Sequence, residues 1–313
     1  MLFGKYTFKN TFTTKANLPE YKGSTLRGGL GHALKHVVCT FHNHMTCEQC
    51  LLASQCAYVT IFEPDLSGKP FPDLKRISAR PSPFVIEPPL TTKTHFSPEE
   101  SFAFNLLLFG EVNDLLPYFI YAFEKMGQKG IGKNLDGHRG KFQLDEIENR
   151  GKILYSPRNQ FIQPPEPLES LDLNPVSNES RDISTITITL ETPLRFKIDR
   201  RISTSLTFDH LIRVSLRRVS FLMACYGKKN ITLDFDGLIQ RATSIEVTDS
   251  QLQWFDWQRY SARQHQEMNM GGLVGSVTYT GVLDDFLPFI KFCEKVHLGK
   301  QTAFGLGKIR CIS

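Results

Sequence analysis

The chain has 313 residues, 41% of them hydrophobic, with a formal net charge of +5 from 37 Lys and Arg against 32 Asp and Glu. That length suits two domains of about 150 residues, each able to bury its own core, and so mild a charge does not by itself mark a nucleic-acid binder. No run approaches the roughly 18 apolar residues of a membrane span, and Met1-Leu-Phe-Gly-Lys-Tyr opens as an alternating strand and not as a signal peptide, so we expect a cytoplasmic protein with no membrane partner.

Leu2 to Phe12 alternates as a first strand, with Leu2, Gly4, Tyr6 and Phe8 on one side and Lys5, Thr7 and Lys9 on the other. A turn at Lys22-Gly23 leads into a helix from Ser24 to about Cys39, because Leu26, Leu30, Ala33, Leu34 and Val37 fall on one side of a helical wheel. Thr25, Gly29, His32, His36 and Cys39 fall on the other side. Gly28, Gly29 and Gly31 weaken the first turns, so the helix is expected to start late; the alternative is another backbone packed close against them.

Cys39, Cys47, Cys50 and Cys56 then lie within 18 residues, while Cys225, Cys293 and Cys311 are scattered. In a reducing compartment such a cluster points to metal before disulfides. The central Cys-x2-Cys lets one turn present two thiolates to a tetrahedral ion, which makes structural zinc the expected cofactor. An iron–sulfur cluster, four unligated thiols or an occasional disulfide are the alternatives, and His42 or His44 could replace one cysteine.

The stretch 62–89 is rich in proline and includes Lys75, Arg76 and Arg80; within it Phe84-Val-Ile-Glu87 reads as a strand ended by Pro88-Pro89. A unit from Phe102 to Leu144 follows, with Asp114 a candidate helix cap and Pro117 tolerated in the first turn, where amides lack helical partners. The most loop-like stretch runs from Pro164 through Arg181, so the boundary is placed there: a first domain over 1–165, a linker over 166–182 and a second domain over 183–313. Thr185-Ile-Thr-Ile-Thr-Leu190 opens the second half as a strand, a helix follows from about Thr207 to Cys225, and Ile231–Phe235 and Ser244–Val247 are expected strands. The arginines of that helix, Arg213, Arg217 and Arg218, suit either a solvated face or a ligand. Trp254-Phe-Asp-Trp257-Gln-Arg259-Tyr260-Ser-Ala-Arg263-Gln-His265 mixes rings with guanidinium groups, a combination that stacks bases and holds phosphates, or else forms the edge of a core.

The chain closes on Gly299-Lys300-Gln-Thr-Ala-Phe-Gly305-Leu-Gly307-Lys308 and then Ile-Arg310-Cys-Ile-Ser. Gln301 after Lys300 excludes a P-loop, and Arg310 stands where a dinucleotide fingerprint needs a third glycine. The expectation is a loop whose Gly299, Gly305 and Gly307 bring amides close to a phosphate, with Lys300 and Lys308 beside them. A shorter version occurs at Gly127-Gln-Lys-Gly130-Ile-Gly132-Lys133, and the residues before each loop also match. Asn105–Gly110 corresponds to Ser276–Gly281, and Asp114–Pro117 to Asp285–Pro288, at a constant offset of 171. This internal repeat predicts two similar halves. With strand and helix early in each, two strands in the middle, and helix and strand at the end, the fold class is α+β. Specifically, we expect two tandem ferredoxin-like (RRM-like) βαββαβ domains with a four-cysteine insert after the first helix.

Leu26-Arg27-Gly-Gly-Leu-Gly-His-Ala-Leu, the cysteine insert, Phe84-Val-Ile-Glu87-Pro-Pro, Arg259-Tyr-Ser-x-Arg263-Gln, Met270-Gly-Gly-x-x-Gly275 and His297-x-Gly-Lys-x5-Gly-Leu-Gly-Lys308 together resemble one group. It is the CRISPR-associated precursor-crRNA processing endoribonucleases of the RAMP superfamily, the family numbered six among CRISPR-associated proteins. The resemblance implies binding of CRISPR repeat RNA and one cut per repeat without a catalytic metal. The 2′-OH would attack the adjacent phosphate to give a 2′,3′-cyclic phosphate and a 5′-OH. It also implies a catalytic histidine on or just after the first helix, with His36 the first choice and His32 the second; Lys35 and Tyr21 are nearby. Gly299, Lys300, Gly305, Gly307, Lys308, Arg259 and Arg263 would contact RNA, and other CRISPR effector subunits are further partners. The rival reading is a non-catalytic crRNA-binding RAMP subunit of a CRISPR effector complex.

Overall fold

The computed structural model describes residues 1–41, 45–68, 79–135, 137–159, 161–163, 166–173, 183–228, 233–261 and 266–313, with backbone only for 258–261 and 266–269. Two compact units divide them: Met1–Ser170 with Cys225–Gly227, and Leu171–Ala224 with Lys228–Ser313. Among the described residues no helix is long and apolar enough to cross a membrane.

The first unit is organised on β1 (Leu2–Phe12), whose alternation sends Tyr6, Phe8 and Phe12 into the core and leaves Lys5 exposed. Around it stand β2 (Phe84–Glu87), β3 (Ser101–Phe109), β4 (Phe142–Asn149) and β5 (Lys152–Tyr155), in the sheet order β2-β3-β1-β4-β5 with every pair antiparallel. Phe8 stands opposite Phe104 on β3 and Ile147 on β4. Helices α1 (Gly23–Val38) and α3 (Leu116–Lys129) cover one face, and Phe123 of α3 sits 4.8 Å, ring to ring, from both Phe8 and Phe104. A short α2 (Ala57–Phe62) follows the cysteine segment.

Three local readings are corrected here. Helix α1 begins at Gly23, earlier than its glycines led one to expect. At Gly29 a Cβ would stand 2.5 Å from Met126 Sδ of α3, and at Gly31 3.0 Å from the Phe62 ring, so these glycines admit neighbours and do not delay the helix. Asp114 is not a cap: it lies inside a 3₁₀ turn, Gly110–Leu115, and α3 starts at Leu116 with Pro117 in its first turn and no side-chain cap. Of the expected strand 231–235, residues 231–232 lie outside the described residues, and Phe235 instead opens α5 (Phe235–Ala242), because the Asp234 carboxylate accepts from Gly237 N–H at 3.0 Å and caps it.

In the second unit β6 (Thr185–Leu194) is central, with the order β7-β8-β6-β9 for β7 (Glu246–Ser250), β8 (Gly272–Thr280) and β9 (Ile309–Ile312), all antiparallel. Ile186, Ile188 and Leu190 face inward, and the intervening threonines line the opposite face, where Thr187 and Thr278 hydroxyls meet at 2.9 Å. Helices α4 (Phe208–Tyr226) and α6 (Leu287–Val296) supply the apolar cover, including Leu216, Val219 and Ile290. Phe208 packs edge-on against Tyr279 and Phe286, and the Tyr279 hydroxyl donates to the Leu206 carbonyl at 2.8 Å. Apart from α2 and β5 in the first unit and α5 in the second, each unit runs strand, helix, two strands, helix, strand, and its first strand lies between the third and fourth.

Candidate nucleic-acid interface

The terminal glycine loop starts where α6 ends, at His297. This residue is fully buried with φ 62° and ψ 160°, a backbone region that only glycine enters without strain. Its Nδ1–H donates to the Leu306 carbonyl at 3.0 Å, which holds the far side of the loop against the helix end. Arg218 of α4, itself buried, donates from Nη2 to the Val296 carbonyl at 2.7 Å and from Nε to the His297 carbonyl at 3.2 Å. A cation there satisfies the last carbonyls of α6 and opposes the negative end of its dipole. Arg218 is therefore a buried cap, neither a solvated residue nor a ligand.

Several of the loop's amides are engaged inside the protein. Lys300 N–H donates to the Arg195 carbonyl (2.7 Å), Gly305 N–H to Thr302 (2.7 Å), Gly307 N–H to Pro193 (3.1 Å), and Lys308 N–H to the Thr192 hydroxyl (2.8 Å), which in turn donates to the Gly305 carbonyl (2.8 Å). Gly305 and Gly307 are buried. A Cβ at Gly299 would lie 2.5 Å from the Arg195 carbonyl oxygen, and one at Gly307 only 1.8 Å from that of Leu298. The expectation that Gly305 and Gly307 turn their amides to a phosphate is corrected: these glycines let backbone approach backbone, and Gly299 does the same against Arg195.

The positive charge beside the loop is what faces outward, and it divides in two. Lys308 and Arg310 both reach Glu191, at 3.4 and 3.2 Å, so this side carries its own counter-charge. Lys300 is exposed, and its ammonium is held below the ordinary amine value first by partial burial and then by three cations, Lys197, Arg217 and Arg195. They come from different places in the chain: Lys197 from a hairpin, Lys197–Ile198 with Arg201–Ile202, Arg217 from α4, Arg195 from just past the end of β6 and Lys300 from the loop. Arg195 is aimed by a 2.7 Å bond from Nη1 to the Gly271 carbonyl, and Arg217 lies over the Phe221 ring at 5.1 Å. Cations that act together on Lys300 suit a polyanion, because a phosphate beside them relieves the repulsion. Sequence reasoning missed Lys197 and Arg195; the signal was present in the run Arg195, Lys197, Arg200, Arg201, which stands about 100 residues from the loop it joins.

Among the other expected contacts, Trp254 and Phe255 sit on a strand paired to β8 with their rings partly exposed, and Trp254 Nε1 donates to Asp256 at 2.8 Å. Arg259 has its backbone in the strand Gln258–Ser261, with its side chain outside the described residues, as is all of Arg263.

In the first unit His32 and His36 stand one turn apart on α1, both exposed to solvent. Lys35 lies over the Tyr58 ring at 5.5 Å. Burial, with Glu87 adding to it, pushes the Tyr21 phenol far above its ordinary range, which makes it a weaker acid. The four cysteines, Cys39, Cys47, Cys50 and Cys56, line one cavity of about 310 Å³. Burial raises the Cys47 thiol. No group of three or more described His, Cys, Asp or Glu side chains is arranged to hold a metal ion, and His42 and His44 lie outside the described residues.

Comparison with known proteins defines the class. Residues 1–167 match the family model of an N-terminal domain, AF_1859_N, and residues 188–309 match the model described as CRISPR-associated endoribonuclease Cas6. An uncharacterized protein of Archaeoglobus fulgidus is 23% identical over 300 residues, covering 94% of this chain and 92% of its own. Among solved structures, a partial Cas6-RT-Cas1–Cas2 complex superposes with a TM-score of 0.58 at 13% identity over 99% of this chain, which spans 46% of that longer one. Thermus thermophilus Cas6 (TTHB231) superposes with a TM-score of 0.55 at 12% identity, covering 99% of this chain and 98% of its own. These structures share an antiparallel α+β fold with this chain. The model covering residues 1–167, more than half of the chain, places it in the AF_1859_N family, and residues 188–309 are similar to the Cas6 endoribonuclease model.

Proposed function

We propose that this protein is an endoribonuclease that binds CRISPR repeat RNA and cuts precursor crRNA without a catalytic metal. The observation that carries the reading is the cluster of Lys300, Lys197, Arg217 and Arg195, which lies wholly within the stretch matching the Cas6 family. The phosphate backbone lies across these cations, and the partly exposed rings of Trp254 and Phe255 offer stacking surfaces to bases. In the cleavage step the ribose 2′-oxygen forms a bond to phosphorus as the bond to the 5′-oxygen breaks, leaving a 2′,3′-cyclic phosphate and a 5′-OH. A neutral histidine takes the 2′-OH proton and an acid returns a proton to the leaving oxygen. His36 is assigned the first role, with His32, one turn away, the second candidate. The same reading takes 1–165 and 183–313 as ferredoxin-like domains, supported by the position of the first strand between the third and fourth in each sheet. The Cas6-RT-Cas1–Cas2 neighbour supports other CRISPR proteins as further partners.

The test is incubation with repeat RNA in excess chelator, beside an RNA carrying one 2′-deoxy sugar at the cut site. Cleavage is expected to survive chelation and to stop with the deoxy sugar. His36→Ala should lower the cutting rate by on the order of 100-fold with RNA affinity unchanged within about twofold. Tight binding with no cut in the wild-type protein would replace the enzyme with a crRNA-binding subunit. Cutting lost to chelator while the fold persists would replace it with a metal-dependent nuclease.

A further inference from the structure

The cavity of about 310 Å³ in the first unit is built at the join of two helices. Cys39 is the residue at which α1 ends, and Cys56 is the residue from which α2 begins. Cys47 and Cys50 bracket a single 3₁₀ turn, Cys47–Gln49, closed by Cys50 N–H donating to the Cys47 carbonyl at 3.3 Å. A second 3₁₀ turn, Ala53–Gln55, delivers Cys56. Neither turn buries a side chain, and between them Leu51 is 90% exposed and Leu52 47%. A segment without an apolar core gains no shape from the hydrophobic effect and needs a cross-link to hold one.

The chemistry of the lining says which cross-link. Among the described residues the cavity wall holds four thiols and one ammonium, Lys35, with no carboxylate or imidazole; the rest is apolar or neutral, including Val37, Phe41 and Tyr118. Soft sulfur donors select soft or borderline metals and reject magnesium or calcium. Two of the sulfurs come from one turn and two from the helix ends that the turn joins, the distribution that lets a four-coordinate ion tie three pieces of chain together.

We propose that Cys39, Cys47, Cys50 and Cys56 bind one zinc ion that staples the end of α1 to the start of α2. Binding displaces the thiol protons to solvent and has to bring the sulfurs closer together, since no three donors among the described residues are grouped to hold one ion. All four ligand positions are filled by sulfur, so the ion has a structural role and offers no place for an activated water.

The experiment uses the full chain, purified under reducing conditions, loaded with zinc, gel-filtered and assayed for metal by mass spectrometry. One zinc per chain is expected, with four of the seven thiols shielded from a thiol reagent until a chelator removes the ion. Cys47→Ser and Cys50→Ser should lose the metal, and Cys225→Ser should keep it. Cobalt in place of zinc in the wild-type protein should give sulfur-to-metal charge-transfer absorption, a readout independent of how any variant folds. Zinc-free protein with four freely reactive thiols overturns the proposal, as does a disulfide among the four, or iron with sulfide and visible absorption. RNA cutting is measured on the same samples, so a protein without zinc that still cuts repeat RNA overturns the metal site alone.

Discussion

The two glycine loops of the internal repeat solve one geometric problem with different residues. In the first unit α3 ends at Gly130, with φ 84° and ψ 157°, where a Cβ would stand 2.7 Å from the Arg139 carbonyl oxygen. In the second unit α6 ends with nearly the same backbone, φ 62° and ψ 160°, but the residue is His297. Strain of about 1–3 kcal/mol is expected for a side chain held there. What holds it is tertiary: the bond from its imidazole to Leu306, the bonds from Arg218 to the carbonyls at the helix end, and complete burial. The first loop runs on into a short hairpin, Ile131–Leu135 with His138–Gly140, and the second is clamped to β6 and α4. Glycine in either loop is a matter of backbone clearance, and the proposed RNA binding rests on the cations beside the second loop.

Gly307→Ala is the sharpest way to break this comparison. Its Cβ meets the Leu298 carbonyl at 1.8 Å with φ at +72°, so the loss in urea denaturation should reach about 3 kcal/mol or more, from strain and overpacking together. Gly130→Ala should cost less, because its hairpin neighbour can shift; equal, small losses at both would remove the clamp from the account.

His297→Ala keeps the strained backbone and deletes the imidazole bond, for an expected loss of about 1–3 kcal/mol. His297→Gly deletes the same bond and relieves the strain, so it should be the less damaging of the two. If denaturation midpoints rank them the other way, strain is not the quantity that separates the loops.

On the RNA side Lys300→Ala should weaken repeat-RNA binding by roughly tenfold and lower the slope of log affinity against log salt by about one. Binding should also fall as pH rises through the lowered range of the Lys300 ammonium, because phosphate favours the charged form. Folding responds with the opposite sign. With a folded value lowered below the ordinary 10.5, the group destabilises the fold where it is charged in both states, and stability returns as pH rises from that lowered value to the unfolded one. The smallest effect is assigned to Lys308→Ala: this lysine is already paired with Glu191, so affinity should change by no more than about twofold. A Lys308 effect as large as that of Lys300 would reverse the division of charge drawn here.

Much of the fold was legible because it depends on near neighbours. The alternation of Leu2–Phe12 and of Thr185–Leu190 is set by which face of a strand each residue takes, and the prolines at 117 and 288 mark first helical turns for reasons internal to the helix. Repetition at an offset of 171 likewise needs no coordinates. The misread places fail for two reasons, a distant neighbour in one case and an unforeseen local turn in another. Gly29 looks like a weak helix position until Met126 is set against it, and Asp114 looks like a cap until the preceding 3₁₀ turn shifts the helix start to Leu116.

The site divides along the same line. Sequence by itself determined that this chain carries a glycine loop flanked by lysines, histidines on the first helix and four closely spaced cysteines, because each is a local pattern of residue types. Only the tertiary structure decided that the loop's amides are closed on β6 and its own turns, that Glu191 cancels one lysine, and that Arg195, Lys197 and Arg217 gather around the other. Charge acts through space, and the distances that turn separate cations into one anion site exist only after the strands and helices have packed.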